Sequence, residues 1–276
     1  MRDTEARRPA GCTATGLLKV IALLFMFIDH SGKMVFGNAT DLRLLGRIAY
    51  PIYAWCLVVG MHYTRSAPKY LLRLLLLFAV SQPLYMVALD HGWNEPNIFL
   101  TLAVSLVGLW GLRERRWGSE VWAPLLALAL AQLLEVDYGW RGVLFTMLLW
   151  LARDRCSAIA AVGIAFCLYW GSTSSALGTV FGVSTAWVKD TPFSGLLTAL
   201  LHMQAMSILG LIFILLPRRR EDGDLRAPRW VGYAVYPAHL VVLILMECLM
   251  LSGGADKVYA RLMGLVVQPV LRLFGA

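Results

Sequence analysis

Four stretches of this chain are apolar for long enough to cross a lipid bilayer: Gly16–Met34, Leu71–Leu89, Leu196–Leu216 and Tyr233–Leu251. A hydrocarbon core of about 30 Å takes roughly 20 helical residues to cross. Of the 276 residues, 59% are hydrophobic and only 15% charged, with a mean hydropathy of +0.65. Soluble domains run at about 45–50% apolar and about 25% charged. The surplus cannot be hidden inside one soluble core and needs lipid as its solvent. Lipid offers the backbone no hydrogen bonds, so a spanning segment must satisfy its own. The expected fold is an all-α, polytopic bundle of about nine to ten transmembrane helices.

Apolar runs and breakers place spans at about 15–36, 47–63, 69–90, 97–112, 121–135, 140–152, 157–171, 194–216 and 230–251, with a weaker tenth at 258–275. A net charge of +8 could suggest nucleic acid, but the cations are not gathered on one face or tail. They cluster between apolar runs, at Arg2/Arg7/Arg8, Arg65/Lys69/Arg73, Arg113/Arg115/Arg116, Arg153/Arg155 and Arg218/Arg219/Arg220/Arg226/Arg229. Basic clusters in alternate loops are the pattern of the positive-inside rule. With residues 1–14 as a cytoplasmic tail, loops 64–69, 113–120 and 153–156 fall inside. Loops 37–46, 90–96 and 136–139, which carry Asp41, Asp90, Glu95 and Asp137, then fall outside. For 217–229 to be a basic cytoplasmic loop as well, the Ser-, Thr- and Gly-rich stretch 173–193 must be an external loop or half-helix.

The five cysteines, Cys12, Cys56, Cys156, Cys167 and Cys248, have no metal-ligand spacing and are odd in number, so they read as small buried groups. No metal is expected. The first apolar run is too long for a cleavable leader and contains Asp29 and His30, so it is expected to stay as the first span.

Polar residues at membrane depth are costly and are functional candidates by default. Asp29, His30 and Lys33 lie in the outer half of the first span. At about 100° per residue, Asp29 and His30 point in different directions, so they are not a couple along one face. Asp29 can reach Lys33, four residues on, or Arg47 at the start of the second span. A helix-stapling ion pair is the alternative to a functional role. Arg47 and Tyr50 share a face, and Tyr53 reads as an interfacial anchor. Gln82 with Tyr85, and Asn97 with Thr101, either line a polar cavity or tie helices together. Asp137 and Tyr138 lie in an outer turn that would mean little alone. His202 in the eighth span, with Tyr236 and His239 in the ninth, joins His30 in suggesting a polar interior chamber. His62, Arg65, Lys69 and Arg73 gather on the inner side. Arg73 lies inside an apolar run, where its fork suits phosphate.

Together these segments resemble the TraX family, the conjugative-transfer pilin acetylases. The matching stretches are Leu18–Ala22 leading to Ile28–Asp29–His30, Gly46–Tyr53, Lys69–Leu74, Ser81–Gln82–Pro83, Asn97–Leu102, Asp137–Tyr138–Gly139 with Gly142, and Tyr236–Leu240. They occur in family order. Where the family often has Phe, this chain has Tyr50 and Tyr53. Lys33 and stretch 173–193 match no family pattern.

The resemblance implies one transmembrane acyltransferase-like domain over 1–276, in a bacterial inner membrane with a cytoplasmic N-terminus. It implies an acetyltransferase using acetyl-CoA as acyl donor, with the N-terminal amine of a pilin, or another envelope group, as acceptor. In that setting His30 is the leading base or acyl carrier. Arg47, Tyr50, Asn97 or Tyr138 could stabilise the oxyanion, and Asp29 and Asp137 complete the catalytic candidates. Arg65, Lys69, Arg73 and His62 would meet the CoA phosphates. Gln82, Tyr85, Asn97, Thr101, His202, Tyr236 and His239 would line the substrate cavity. The rivals are an O-acyltransferase acting on a surface glycan, a proton-coupled permease, and a structural component of a pilus machine. No inverted repeat favours the permease.

Overall fold

In a computed structural model, residues 8–219, 221 and 229–273 are described, without the side chains of 189, 229–233, 272 and 273. Arg2, Arg7, Arg220, Arg226 and the side chain of Arg229 lie outside that set. The helices are α1 (Thr15–Met34), α2 (Thr40–Gly46), α3 (Ala49–Tyr63), α4 (Ala67–Leu89), α5 (Ile98–Glu114), α6 (Ser119–Leu133), α7 (Gly139–Ala152) and α8 (Cys156–Ser172). After them come α9 (Ser194–Leu200), α10 (Gly210–Ile214), α11 (Arg229–Met250), α12 (Gly254–Arg261) and α13 (Gln268–Leu273). Among the described residues, the extended pairing is a small hairpin, Thr179–Val180 with Val183–Ser184, and a single bridge from Ala176 to His202.

Among the described residues, Thr15–Met34, Thr40–Tyr63 and Ala67–Leu89 are long and apolar enough to cross a membrane. Shorter apolar helices occupy Ser119–Leu133, Gly139–Ala152, Cys156–Ser172 and Ala234–Met250. Several helices turn large apolar side chains outward, as α4 does with Leu72, Leu75, Leu76 and Val80, and α6 with Val121, Trp122, Leu125 and Leu133. Such bands are unfavourable in water and favourable against acyl chains. The chain is an all-α membrane protein.

Two expected spans are not uniform α-helices. Residues 194–216 break after α9, run as a 3₁₀ segment over Met203–Leu209, and resume as α10. The break has a physical cause in the preceding Ser-rich stretch. The Leu177 amide donates to the Leu201 carbonyl (2.8 Å), and Met203 N–H donates to the Ser175 carbonyl (3.0 Å). Gln204 N–H donates to Ser174 Oγ at 3.1 Å, and His202 Nδ1 lies 2.8 Å from the Ser174 carbonyl. These bonds replace the helical ones, so irregular backbone is tolerated at an apolar position. The tenth expected span stays helical over Gly254–Leu273 but widens into a π-helical turn over Leu262–Val267 between α12 and α13.

The chain packs as two compact units, each assembled from three segments. The first holds residues 1–29, 40–64 and 144–226. Its core is built on Leu18, Tyr50, Ile52, Trp55, Phe145, Leu149 and Ile159. The Trp55 indole donates to the Cys12 carbonyl at 2.7 Å. Small residues let backbones approach: a Cβ on Gly171 of α8 would fall 2.6 Å from the Cβ of Ala205. At one end of this unit, Ala10 N–H donates to the Arg153 carbonyl (2.7 Å) and Thr13 N–H to the Arg218 carbonyl (3.0 Å). At another place Asp41 accepts from the Phe181 amide at 2.8 Å. The segments that the charge pattern assigns to one side therefore meet each other.

The second unit holds 30–39, 65–143 and 227–276. In it α5 and α6 form a close hairpin, with Ala123, Ala127 and Ala131 buried at helical spacing and Ser119 Oγ donating to the Gly111 carbonyl at 3.0 Å. α4 packs against α5 and α11. Ser66 caps the start of α4, and Asn97 caps α5 by accepting from the Phe99 amide at 3.0 Å. Arg261 pairs with the buried Glu247 and donates to the Ala88 carbonyl (3.3 Å), fixing α12 to the end of α4.

Candidate functional site

The second unit gathers three of the chain's five histidines. His30, in the last turns of α1, and His239, in the middle of α11, are 8% and 6% exposed. Their rings stack at 5.4 Å and 18°, with His30 Nδ1 3.2 Å from His239 Nε2. A hydrogen bond there needs a proton on one nitrogen and a lone pair on the other, so the pair holds its two tautomers in register. Tyr236 meets the His239 ring edge-on at 4.7 Å, and Phe99 packs on Tyr236 at 4.6 Å. Tyr85 meets His30 edge-on at 6.3 Å and stacks on His91 at 5.0 Å.

His91 is a residue that reading spans alone passes over, because it follows α4 in a loop. Its Nε2 lies 2.5 Å from the Lys33 ammonium. Its Nδ1 is 3.1 Å from Glu95 Oε1, and Glu95 Oε2 accepts from the Gly92 amide at 2.8 Å. Burial and the Lys33 charge press the His91 imidazolium below its ordinary range, against a smaller upward pull from Glu95 and Asp90. The Gly92 N–H holds Glu95 below the usual carboxylate range, helped by His91 and Lys33. A neutral His91 that accepts from Lys33 and faces Glu95 with Nδ1 fits both directions. The sequence signal was the four-residue spacing of His91 and Glu95 just past a helix end.

Gln82 and Asn97 spend their amides on the fold. Gln82 Oε1 accepts from the Asn97 backbone amide (2.9 Å) and side chain (3.0 Å), while Gln82 Nε2 donates to the Glu95 carbonyl at 3.0 Å. Asn97 Nδ2 also donates to the Phe78 carbonyl at 3.2 Å. Thr101 is fully buried, with no partner for its hydroxyl among the described residues. Asp137 is exposed and Tyr138 half-buried in the turn before α7, where Gly139 takes a φ of 58°. Arg65, Lys69 and Arg73 are exposed around the start of α4.

The other candidates belong to the first unit. Arg47 Nη2 donates to Asp29 Oδ1 at 2.8 Å, so of its two possible partners Asp29 takes Arg47. Gly46 makes that approach possible: a Cβ there would fall 2.2 Å from the Cβ of Asp29. Tyr50 is fully buried, its hydroxyl 3.3 Å from Thr146 Oγ1 and its ring against Trp170. His62 packs edge-on against Tyr63 at 4.8 Å. His202 is not inside a continuous helix; it stands at the break, engaged with Ser174. The two units divide α1 between Asp29 and His30, so the adjacent residues take partners in different units.

The fold and this histidine cluster define a polytopic helical membrane protein with an ionisable interior. Residues 14–247 match the family described as TraX protein, and the chain belongs to the TraX family. It is 32% identical over 146 residues to the probable fimbrial assembly protein FimC, serogroup H1, of Dichelobacter nodosus, covering 48% of this chain and 59% of that protein. It is 30% identical over 152 residues to protein TraX of Escherichia coli (strain K12), covering 53% of this chain and 60% of that one. The matches thus span about three-fifths of each relative's length. No solved structure matches the chain.

Proposed function

We propose that this protein is an inner-membrane acetyltransferase that moves an acetyl group from acetyl-CoA to the N-terminal amine of a pilin subunit. The observation that carries this reading is the buried His30–His239 pair. In the tautomer where His30 Nδ1–H donates to His239 Nε2, the His30 Nε2 lone pair is presented as a base. His239 then does for His30 what an orienting acceptor does for any catalytic histidine. An α-amino group has a pKa of about 7.7–8, which imidazole matches well. The neutral amine attacks the thioester carbonyl and the C–N bond forms. His30 takes the amine proton and returns it to sulfur as the C–S bond breaks, so amide and free thiol leave. The exposed Arg65, Lys69 and Arg73 suit the CoA phosphates at a cytoplasmic mouth.

The test is mass spectrometry of pilins from cells with and without the gene. An N-terminal shift of one acetyl group, lost in His30→Ala while membrane insertion is normal, is expected. Unchanged pilin mass in both strains overturns the reading. Labelling of cysteines placed at 65 and 73 from the periplasmic face would overturn the assigned CoA entrance.

A further inference from the structure

We infer that Lys33 is a catalytic cation of the acetyl-transfer centre, binding the thioester carbonyl oxygen as it becomes an oxyanion, and that His91 and Glu95 are positioning residues that aim its ammonium. The inference rests on the acetyltransferase reading and adds to it a charge that the reading lacks. Lys33 follows His30 by three residues on α1, so the two side chains share a helix face. The ammonium is held at the ring of His91, whose Tyr85 neighbour in turn meets His30.

The holding apparatus is what separates Lys33 from an ordinary solvated lysine. A free lysine side chain keeps its rotamers, and ordering it carries an entropic cost. Here its partner ring is fixed by Glu95, and Glu95 is fixed by Gly92. The loop that carries them is tied at three more points. Gln82 donates to the Glu95 carbonyl at 3.0 Å, and the Trp93 indole donates to the Leu265 carbonyl at 2.8 Å in the π-helical turn. Arg261 donates to the Ala88 carbonyl just before the loop. Such a preorganised charge is effective because it need not reorganise as the reaction charge develops.

Three of the four donors expected from the sequence are engaged elsewhere. Asn97 bonds to Gln82 and the Phe78 carbonyl, Arg47 to Asp29, and Tyr50 to Thr146. Lys33 stays protonated through the reaction. As the C–N bond forms, the carbonyl oxygen gains negative charge beside the ammonium. As the C–S bond breaks, the oxyanion's electron pair re-forms the C=O bond, the C–S pair leaves on sulfur, and the amine proton carried by His30 neutralises it as the thiol. An interaction made only with the oxyanion lowers kcat when lost and leaves KM nearly unchanged.

The experiment uses full-length protein in proteoliposomes with acetyl-CoA and a pilin N-terminal peptide. Lys33→Cys is assayed before and after alkylation with bromoethylamine, which rebuilds a lysine-like ammonium, and with iodoacetamide, which adds a neutral group. Wild-type protein treated in parallel controls for the five native cysteines. The expected result is a kcat loss on the order of 10²–10³-fold with little change in KM, recovered by aminoethylation and not by the neutral reagent. His91→Asn and Glu95→Gln should lose kcat by a smaller factor. A Lys33→Cys protein with wild-type kcat, equal recovery with either reagent, or recovery with neither, overturns the role of Lys33. Absence of transfer by the wild-type protein overturns the acetyltransferase reading first, and this inference with it.

Discussion

At the residue scale, the pair Asp29 and His30 is divided by helix rotation. Asp29 meets Arg47 across a glycine, and His30 meets His239. Gly46→Ala should force Asp29 from its place, destabilising the protein by about 1–3 kcal/mol, as overpacking does. A lowered thermal midpoint in detergent checks this, and an unchanged midpoint contradicts the close approach. The loop group His91–Glu95 predicts a pH dependence. Both groups bind protons less readily folded than unfolded, so folded stability rises with pH through their windows. The contribution is fully present above the ordinary histidine value of 6.5 and is lost as pH falls through the depressed folded value. Glu95 adds a second loss below its ordinary 4.5. The protection of amides in 90–97, taken relative to the intrinsic exchange rate at each pH, should fall on acidification below 6.5 in wild type. In His91→Asn the step between the two ordinary values should vanish, leaving the lower one.

At the element scale, Asn97 caps α5 and binds it to α4 through Gln82. Asn97→Ala removes the cap and one of the two bonds to Gln82 Oε1, for a loss of about 1–2 kcal/mol. Asn97→Ser keeps a capping oxygen and should recover part of that loss in the same thermal assay. Periodicity alone could not choose between a cavity-lining and a helix-tying amide, because both put a polar residue on an inward face. The broken segment 194–216 was hidden for a related reason. Hydropathy reports the solvent a segment prefers, and Ser174 and Ser175 supply the competing hydrogen bonds from outside that segment.

At the scale of the whole molecule, alternation of basic and acidic loops gives a testable sidedness. Single cysteines at 116 and 155 should label from the cytoplasm, and those at 92 and 137 from the opposite side. Labelling at 92 and 116 from the same side contradicts the expected topology. Within the first unit, the tail at Ala10 and Thr13 already meets Arg153 and Arg218, which the charge pattern placed together. The sequence by itself determined the class, an all-α membrane protein, and the position of most helices, because length and hydropathy are local properties read directly against the bilayer. It also marked His30 and His239 as costly at depth. Only the tertiary structure decided that these two residues, 209 positions apart, touch. It also withdrew His202 to Ser174 and set His91 against Lys33. Those pairings depend on how each helix is rotated and which neighbour it faces, and no local pattern encodes that. The Asp29–His30 step shows the difference most plainly. Spacing showed that the two side chains diverge, and only packing could say that one goes to an arginine and the other to a histidine.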